Sequence, residues 1–482
     1  MDRSSRAAVE SGGCLQAEMA AGHLGDARLN ARRDRVIEAL ARHPDRSFPE
    51  ACGGASEAEA FYRFLRNRRV SLATVIAPHV AATRERCGAL GDVLVIHDTT
   101  EISFAGAHRR AGLSRQSARR QGFWVHAALA VSAEGLRTPL GLVSLLPFVR
   151  PPRAAGTPPP SQRARFLDPA KESRRWAEGV ATVRARLGAG VTALHLMDRE
   201  GDSYELLATL IEQRDRFVVR LRHNRRVVAE SEGGMKLSAA VPPTDHVVER
   251  QVVLSPRPAG DRSPTARQLH PPRRGRTATL RFAARRVVLQ RPAGLATTPR
   301  ATLAVHVVYG WEIDVPEGET PVEWRLVPTE PIDTVDDVLR IVDGYRTRWL
   351  IEEFFKALKT GCAYEARQLE SLDTLLVALG LLAPIAWQLL LLRHLARDLT
   401  DTSAAVVFTP RRLEVLRASS AGPTLPPRPT VQHALLAVAR LGGHLRQNGP
   451  PGWLVLTRGM QTLLAMEAGW AAAQHAARCD QS

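Results

Sequence analysis

The chain has 482 residues, more than one hydrophobic core usually organises, so about two to four domains are expected. Its apolar fraction of 44 % is ordinary for a globular protein, but its formal charge of +17, from 66 Lys and Arg against 49 Asp and Glu, is not. That balance favours a polyanionic partner, nucleic acid before an anionic membrane. Cys14, Cys52, Cys87, Cys362 and Cys479 are scattered, odd in number and without the spacing of zinc ligands or a redox pair. This excludes a disulfide framework and fits a reducing cytoplasm. The first residues, MDRSSRAAVESGGC, lack the apolar core of a secretion signal, so no export is expected.

Residues 1 to about 75 read as a small basic helical module, with LNARRDRVIEALARH and SEAEAFYRFLRN carrying apolar positions at helical spacing. From Gly91 the runs DVLVIHDTTEISF and VHAALAVSAEGLRTPLGLVSLLPFV are β-rich, the second folded at Glu134-Gly135. The proline-rich stretch PFVRPPRAAGTPPPSQR reads as an exposed loop. A helix from about Pro169 to Leu187, the strand VTALHLMD, a helix starting near Ser203 and the strand RFVVRLR follow. From about 225 to 330, HVVERQVVL, TATLRFAARRVVL, ATLAVHVVYGWEI and VEWRLV form a mostly antiparallel β insertion, interrupted by the basic loop PRPAGDRSPTARQLHPPRRGR. Helical character returns near Val335 and continues, with breaks, to the end. The run TLLVALGLLAPIAWQLLLL, Thr374 to Leu392, has the length and hydropathy of a membrane span; with Pro384 and Gln388 inside it, it reads as a buried helix, and no membrane partner is expected.

Asp98 ends the apolar stretch VLVIHD and Asp198 ends LHLMD. Side by side in one central sheet, such strands place two carboxylates at adjacent carboxyl-terminal ends, where α/β proteins bind ligands. With a third carboxylate they offer the hard oxygen ligands that suit Mg²⁺ or Mn²⁺. Taken singly, either aspartate has a simpler use as a cap of the turn that follows.

The segment DGYRTRWLIEEFFKALKTG supplies the third carboxylate. At about 100° per residue, Tyr345, Arg348, Glu352 and Lys359 fall within an arc of roughly 60°, opposite Leu350, Ile351, Phe354, Phe355 and Leu358. An ordinary amphipathic helix with a solvated charged face has the same pattern. Together with the two aspartates it points to phosphodiester chemistry, the carboxylates holding metal while Arg348 and Lys359 grip phosphates beside the scissile bond.

These residues resemble the transposon-five transposase group of the insertion-sequence-four family of DDE transposases. The likeness rests on HDTTEISF, on MDREGDSYE, and on Tyr345, Arg348, Glu352 and Lys359 at the spacing Y-x2-R-x3-E-x6-K; it extends to LGDARLNAR, AFYRFLRN, QGFWVHAAL, RFVVRLRH, GETPVEWRLVPTEP and LLAVARLGGH. It implies an α/β fold with an RNase H-like catalytic core and a β insertion, flanked by helical domains. The expected parts are an end-binding domain at 1–75, a catalytic domain at 76–368 and a dimerisation domain at 369–482. Two Mg²⁺ ions, with Mn²⁺ as a substitute, are implied at Asp98, Asp198 and Glu352. Glu352 is preferred because it shares the face of Arg348 and Lys359, while Glu353 lies about 100° away.

The implied reaction cuts the phosphodiester at a transposon end, passes through a hairpin, reopens it with water and joins the 3′-OH to target DNA. The implied partners are inverted-repeat end DNA, target DNA and a second copy of the chain in the synaptic complex, on the nucleoid of a bacterial cell. By the same likeness Trp324 fills the stack left by a flipped base, or packs its strand beside Val322 and Leu326, and Arg220 contacts phosphate or pairs with an acid. Arg28, Arg32, Arg63 and Arg66 are candidates for contacts to end DNA. The chain departs from the family in its proline-rich loop near 155, in Phe355 where the family has histidine, and in Ala105 where it has a basic residue. Two alternatives share these features: an RNase H-like nuclease that cuts without strand transfer, and a non-catalytic, domesticated DNA-binding protein. The sequence contains no G-x-x-x-x-G-K-[ST] loop, so no ATP requirement is expected.

Overall fold

A computed structural model describes residues 15–106, 108–117, 119–150, 174–228, 235–242, 246–254, 256–257, 272–293, 295, 300–398, 403–419, 425–445, 447 and 449–479. The chain divides into two compact units: Met1–Thr157 with Ala181–Thr192 and Trp349–Ser482, and Pro158–Val180 with Ala193–Arg348. Most of the proline-rich stretch expected as a loop, 151–163, and most of the basic stretch, 258–271, lie outside the described residues.

The first unit opens with helices α1 (Leu15–Ala20), α2 (Ala27–Arg42), α3 (Phe48–Cys52), α4 (Ala55–Leu65) and α5 (Leu72–Gly88). Their starts are written in the sequence: Asp26 caps α2, and reciprocal Ser47–Glu50 and Ser71–Thr74 pairs cap α3 and α5. Val36, Ile37 and Leu40 of α2 turn inward, as do Phe61, Phe64 and Leu65 of α4, so the arginines between them face out. Strands β1 (Asp92–Ala105), β2 (Ser114–Ser117), β3 (Arg120–Ser132) and β4 (Pro139–Phe148) follow. β3 lies antiparallel between β1 and β4, and β2 also pairs with it. At Gly122 a side chain would strike the Ile102 carbonyl oxygen, 1.9 Å from the ideal Cβ position, so glycine is needed for β1 and β3 to close.

The second unit begins within α6 (Arg174–Leu187), and β5 (Thr192–Met197) and β6 (Arg216–Arg220) form a parallel pair joined through α7 (Tyr204–Glu212). An antiparallel meander, then a helix, then a β–α–β pair is the element order of an RNase H-like core. The expected insertion is present as β7 (Arg226–Val227), β8 (Met235–Lys236), β9 (His246–Leu254), β10 (Arg276–Gln290), β11 (Thr302–Ile313) and β12 (Glu323–Pro328). Within this unit the order is β5-β6-β12-β11-β10-β7-β8, with β9 beside β10; β12 returns antiparallel to β6 and makes the insertion continuous with the parallel pair. Phe217, Val219, Leu207, Val307 and Leu289 form its core. The short strands β7 and β8 have too few residues to show a period. Helix α8 (Val335–Arg346), capped by Thr334 and Asp337, closes the unit.

Back in the first unit, α9 (Trp349–Lys356) runs through a π-helical turn, Ala357–Gly361, and α10 (Leu372–Asp398), α11 (Pro410–Ala418), α12 (Val431–Leu441) and α13 (Trp453–Cys479) complete the chain. The long apolar run forms α10, and 89 % of its most apolar window is buried inside the protein, as expected for a core helix. It packs on α5 and β4, and Trp387 Nε1 donates to the Pro139 carbonyl at 3.2 Å. Burial pushes the thiols of Cys87 and Cys362 up to about 12, which keeps them unreactive.

Candidate active site

In the first unit Asp98 does not stand at the carboxyl end of its strand. The buried stretch Val93–His97 ends there, but β1 runs on to Ala105, because Thr99, Ile102 and Phe104 suit a strand and the ladder to β3 continues from Asp98 opposite Ala127 to Ala105 opposite Arg120. Asp98 Oδ1 accepts from Thr99 N at 2.8 Å. On the opposite face of β1, buried His97 and His126 stack, and Thr99 Oγ1 lies 3.0 Å from His126 Nδ1. The carboxylate therefore stands on a strand anchored from behind.

α9 packs against β1 and carries two neighbouring glutamates. Glu353 is buried and pairs with Lys356 at 2.8 Å and Arg393 at 3.2 Å, tying α9 to α10. Glu353 is thus committed to packing, while Glu352 is only partly buried. Lys359, in the π-helical turn, donates to the Glu101 carbonyl at 2.5 Å and lies 3.5 Å from Glu365, whose Oε1 accepts from Ser103 N at 3.0 Å. It is anchored three residues beyond Asp98 on β1.

In the second unit Asp198 immediately follows β5 and caps the turn Arg199–Gly201, its Oδ1 accepting from Glu200 N at 2.8 Å. The capping use is real, but it engages one oxygen and leaves the carboxylate a second. The fully buried Asp202 side chain accepts from Arg222 N at 2.7 Å and His223 N at 2.8 Å and pairs with Arg225, fixing the loop that presents Asp198.

Arg220, Trp324 and Tyr345 meet in the same unit. The Arg220 guanidinium lies 5.7 Å from the Trp324 ring centre, and the Tyr345 ring stands edge-on to Trp324 at 5.6 Å. Phe282 touches the other side of Trp324 at 6.1 Å, across Gly310, where a Cβ would fall 2.4 Å from the Phe282 ring. Trp324 is 8 % exposed, so here it packs its strand. Burial, opposed mainly by Tyr345, lowers Arg220 to about 10, with Arg199 and Arg348 adding repulsion. Burial also raises Tyr345, against the pull of Arg220 and Arg348 and with a contribution from nearby Asp198. Arg220 Nη2 donates to the Glu323 carbonyl at 2.8 Å; beyond the contact of these two side chains with each other, Arg220 Nε and Tyr345 Oη are buried with no hydrogen-bond partner among the described residues. Such orphaned groups cost stability unless an anion or water meets them. Arg199, which faces this cluster, has no distinguishing signal in the sequence.

The helical arc that gathered Tyr345, Arg348, Glu352 and Lys359 is not one continuous α-helix. α8 ends at Arg346, Thr347 N and Arg348 N bond back three residues to Gly344 and Tyr345, and the π-turn bonds Cys362 N to the Ala357 carbonyl. Two changes of winding therefore separate residues that a uniform 100° step treats as one face. Tyr345 and Arg348 belong to the second unit, Glu352 and Lys359 to the first.

Of the arginines expected at end DNA, Arg28, Arg63 and Arg66 are exposed, Arg63 lying 3.9 Å from Glu59 and Arg66 3.9 Å from Glu370. Arg32 is half-buried and bonded to Glu57.

Among the described residues no three His, Cys, Asp or Glu side chains are grouped as a metal-binding set. Asp98 and Glu352 in the first unit and Asp198 in the second each carry carboxylate oxygens, the donor type that suits a hard divalent cation, while Glu353 is withdrawn into its ion pairs.

Residues 12–70 match the transposase DNA-binding family, and residues 170–387 match the transposase DDE domain family. The first match contains α1 to α4 with all four candidate arginines; the second contains Asp198, Arg220, Trp324, Tyr345, Arg348, Glu352 and Lys359, while Asp98 lies ahead of it. Among solved structures the chain is similar to the piggyBac transposase in a cryo-EM synaptic complex with hairpin DNA, at 11 % identity over 83 % of this chain and 74 % of that one, with a TM-score of 0.34.

Proposed function

This chain is a DDE-type transposase, with a DNA-binding domain ahead of its DDE domain, and we propose that it works by cut and paste, cleaving transposon ends through a hairpin and joining them to target DNA. The observation that supports this most is the buried Arg220–Tyr345 pair near Asp198, whose unsatisfied Nε and Oη suit a phosphate oxygen.

Asp98, Asp198 and Glu352 hold two divalent ions, Mg²⁺ or Mn²⁺. When bound, the ions activate the attacking oxygen and stabilise the leaving one in an in-line displacement. Arg220 and Arg348 bind the nonbridging oxygens of the scissile phosphate, and Tyr345 donates its hydroxyl to one of them. Lys359, fixed to β1, holds a phosphate beside Asp98. Trp324 leaves its packed position to fill the gap of a flipped base at the hairpin stage. Arg28, Arg63 and Arg66 contact the backbone of end DNA, while Arg32 braces α2 against α4. Residues 1–75, 76–368 and 369–482 serve as end-binding, catalytic and dimerisation domains, and the active assembly is a homodimer on the nucleoid of a bacterial cell.

Purified protein incubated with Mg²⁺, terminal-repeat DNA and a target plasmid tests this reading. Hairpin ends and joined products are expected; cleavage without joining makes the chain a nuclease. If Asp98→Asn leaves its biological effect unchanged, the chain acts as a non-catalytic DNA-binding protein.

A further inference from the structure

One short segment of the first unit, Lys359 to Leu372, touches both the end-binding helices and the strand that carries Asp98. Toward β1 it takes main-chain groups: Lys359 donates to the Glu101 carbonyl, and Glu365 Oε1 accepts from Ser103 N at 3.0 Å. The Tyr364 ring stands edge-on to Phe104 at 5.9 Å, and its hydroxyl donates to the Leu375 carbonyl at 2.6 Å. The loop after β1 is strapped to the same segment by Ala111 N to the Glu370 carbonyl and by Leu372 N to the Ala111 carbonyl, both at 2.8 Å. Arg110 Nη1 donates to the Arg367 carbonyl at 3.0 Å.

The buried link toward the end-binding helices is the Arg367 side chain. It is 3 % exposed, and its guanidinium lies 4.7 Å from the ring centre of Phe48, the first residue of α3. Nη1 donates to the Arg46 carbonyl, and Nη2 to the carbonyls of Pro44 and Cys362, the last at 2.7 Å. A planar fork spread over the carbonyls of two chain segments fixes direction as well as distance, and its charge makes each bond stronger than a neutral one. The turn it grips, 43–47, joins α2 to α3 inside the stretch that matches the transposase DNA-binding family.

Adjacent phosphodiesters on one DNA strand lie about 3.4 Å apart. A misplacement of about 1 Å can already cost about a hundredfold in rate, so a stiff path from the helices that hold an end to the strand of Asp98 selects one phosphodiester. We propose that Arg367 is a positioning residue that sets the cut site, by locking the α2–α3 turn to the segment that clasps β1; this rests on the end cleavage proposed above. A loosened turn moves the held end against the β1 of either copy, so the effect is the same whether a copy cuts the end it holds or the end held by a second copy.

The test maps cuts at nucleotide resolution on terminal-repeat duplexes, with the full chain and Mg²⁺. Wild type is expected to cut at one position. Arg367→Ala should bind the duplex with wild-type affinity, while the share of cuts one base step to either side rises about tenfold. Arg367→Lys, which keeps the charge and loses the fork, should fall between the two. Asp45→Ala is the control for stability alone: it frees the same turn from α13, where Asp45 pairs with Arg458 at 3.6 Å and with Gln461, and should lower the melting temperature with the cut position kept. Should Arg367→Ala not fold, Arg110→Ala, which releases only the Arg367 carbonyl, takes its place with a smaller rise expected. A single wild-type cut position in the folded Arg367 and Arg110 variants, an equal spread in Asp45→Ala, or loss of duplex binding in Arg367→Ala overturns the proposal. Failure of the end-cleavage reading is a separate result, in which wild type cuts nothing. Iron-EDTA tethered at the exposed position of Ala105→Cys then reads the same spacing, because its radicals nick bound DNA without the carboxylate site. After subtraction of the pattern from the chain without that substitution, nicks focused in wild type and spread in Arg367→Ala support the proposal, and equal patterns overturn it.

Discussion

Around Glu353 the charges are spent on holding the fold, its carboxylate pairing with Lys356 and Arg393 and so tying α9 to α10. Around Arg220 and Tyr345 the side chains are buried more deeply, yet beyond their contact with each other Arg220 Nε and Tyr345 Oη have no hydrogen-bond partner among the described residues. Burial makes an unmet polar group expensive, so a protein keeps one where something else will meet it. The first region is a mount, and under the proposed function the second receives the phosphate. Substitutions in the mount should therefore cost stability and spare chemistry, and substitutions at the prepared groups should do the opposite.

The largest effect is expected at the three carboxylates. Asp98→Asn, Asp198→Asn and Glu352→Gln should each lower end cleavage about a thousandfold, the several kcal/mol that a bound metal contributes. The melting temperature should barely move. A cleavage rate within tenfold of wild type for any one would remove that residue from the metal site.

Glu353→Gln is the sharpest control on the comparison. It breaks a buried pair and leaves Arg393 unmatched, so unfolding should be easier by about 3 kcal/mol, read from denaturant titration. Cleavage per folded molecule should match wild type. If Glu353→Gln instead abolished cleavage at full stability, the two glutamates would have exchanged roles.

Tyr345→Phe removes an orphaned hydroxyl and keeps the ring against Trp324. Stability should rise by about 1 kcal/mol as the unmet group is lost. Cleavage should fall roughly tenfold, the worth of one hydrogen bond to a charged oxygen. A variant both less stable and fully active would mean that the hydroxyl serves the fold.

Much of this was legible in the sequence because periodicity reports burial directly. The alternation of Leu280, Phe282 and Ala284 against arginines, or of Trp324 and Leu326 in β12, marks strands whatever they pair with. The candidate carboxylates Asp98, Asp198 and Glu352 and their candidate cations stand in the sequence as residue types and spacing. Their local geometry was less legible. Thr347 and Arg348 are not helix breakers, and the π-turn at Ala357–Gly361 has no sequence signature, so a uniform helix was the natural reading. The continuation of β1 past Asp98 depends on pairing with β3, distant in the chain until the sheet forms. The angular preference for Glu352 over Glu353 requires one uniform helix, which the change of winding at Thr347 and Arg348 interrupts. The ion pairs of Glu353 with Lys356 and Arg393 favour the same residue on independent grounds.

The smallest effects should separate two arginines of the DNA-binding helices. Arg32 is bonded to Glu57 and half-buried, while Arg66 is largely exposed and its acidic neighbour Glu370 lies 3.9 Å away. An exposed pair at that distance holds its cation weakly, by about 1 kcal/mol or less, so a phosphate can displace it. Arg66→Ala should weaken binding to end DNA and lower the salt slope by about 0.9, because one released counterion is lost. Arg32→Ala should leave the slope unchanged and shift only the melting curve, since its charge is already matched within the helices. Equal slopes for both variants would place Arg66 outside the interface. A reduced slope for Arg32→Ala would show that DNA displaces Glu57, and the distinction between mounted and available charge would then fail in the end-binding domain.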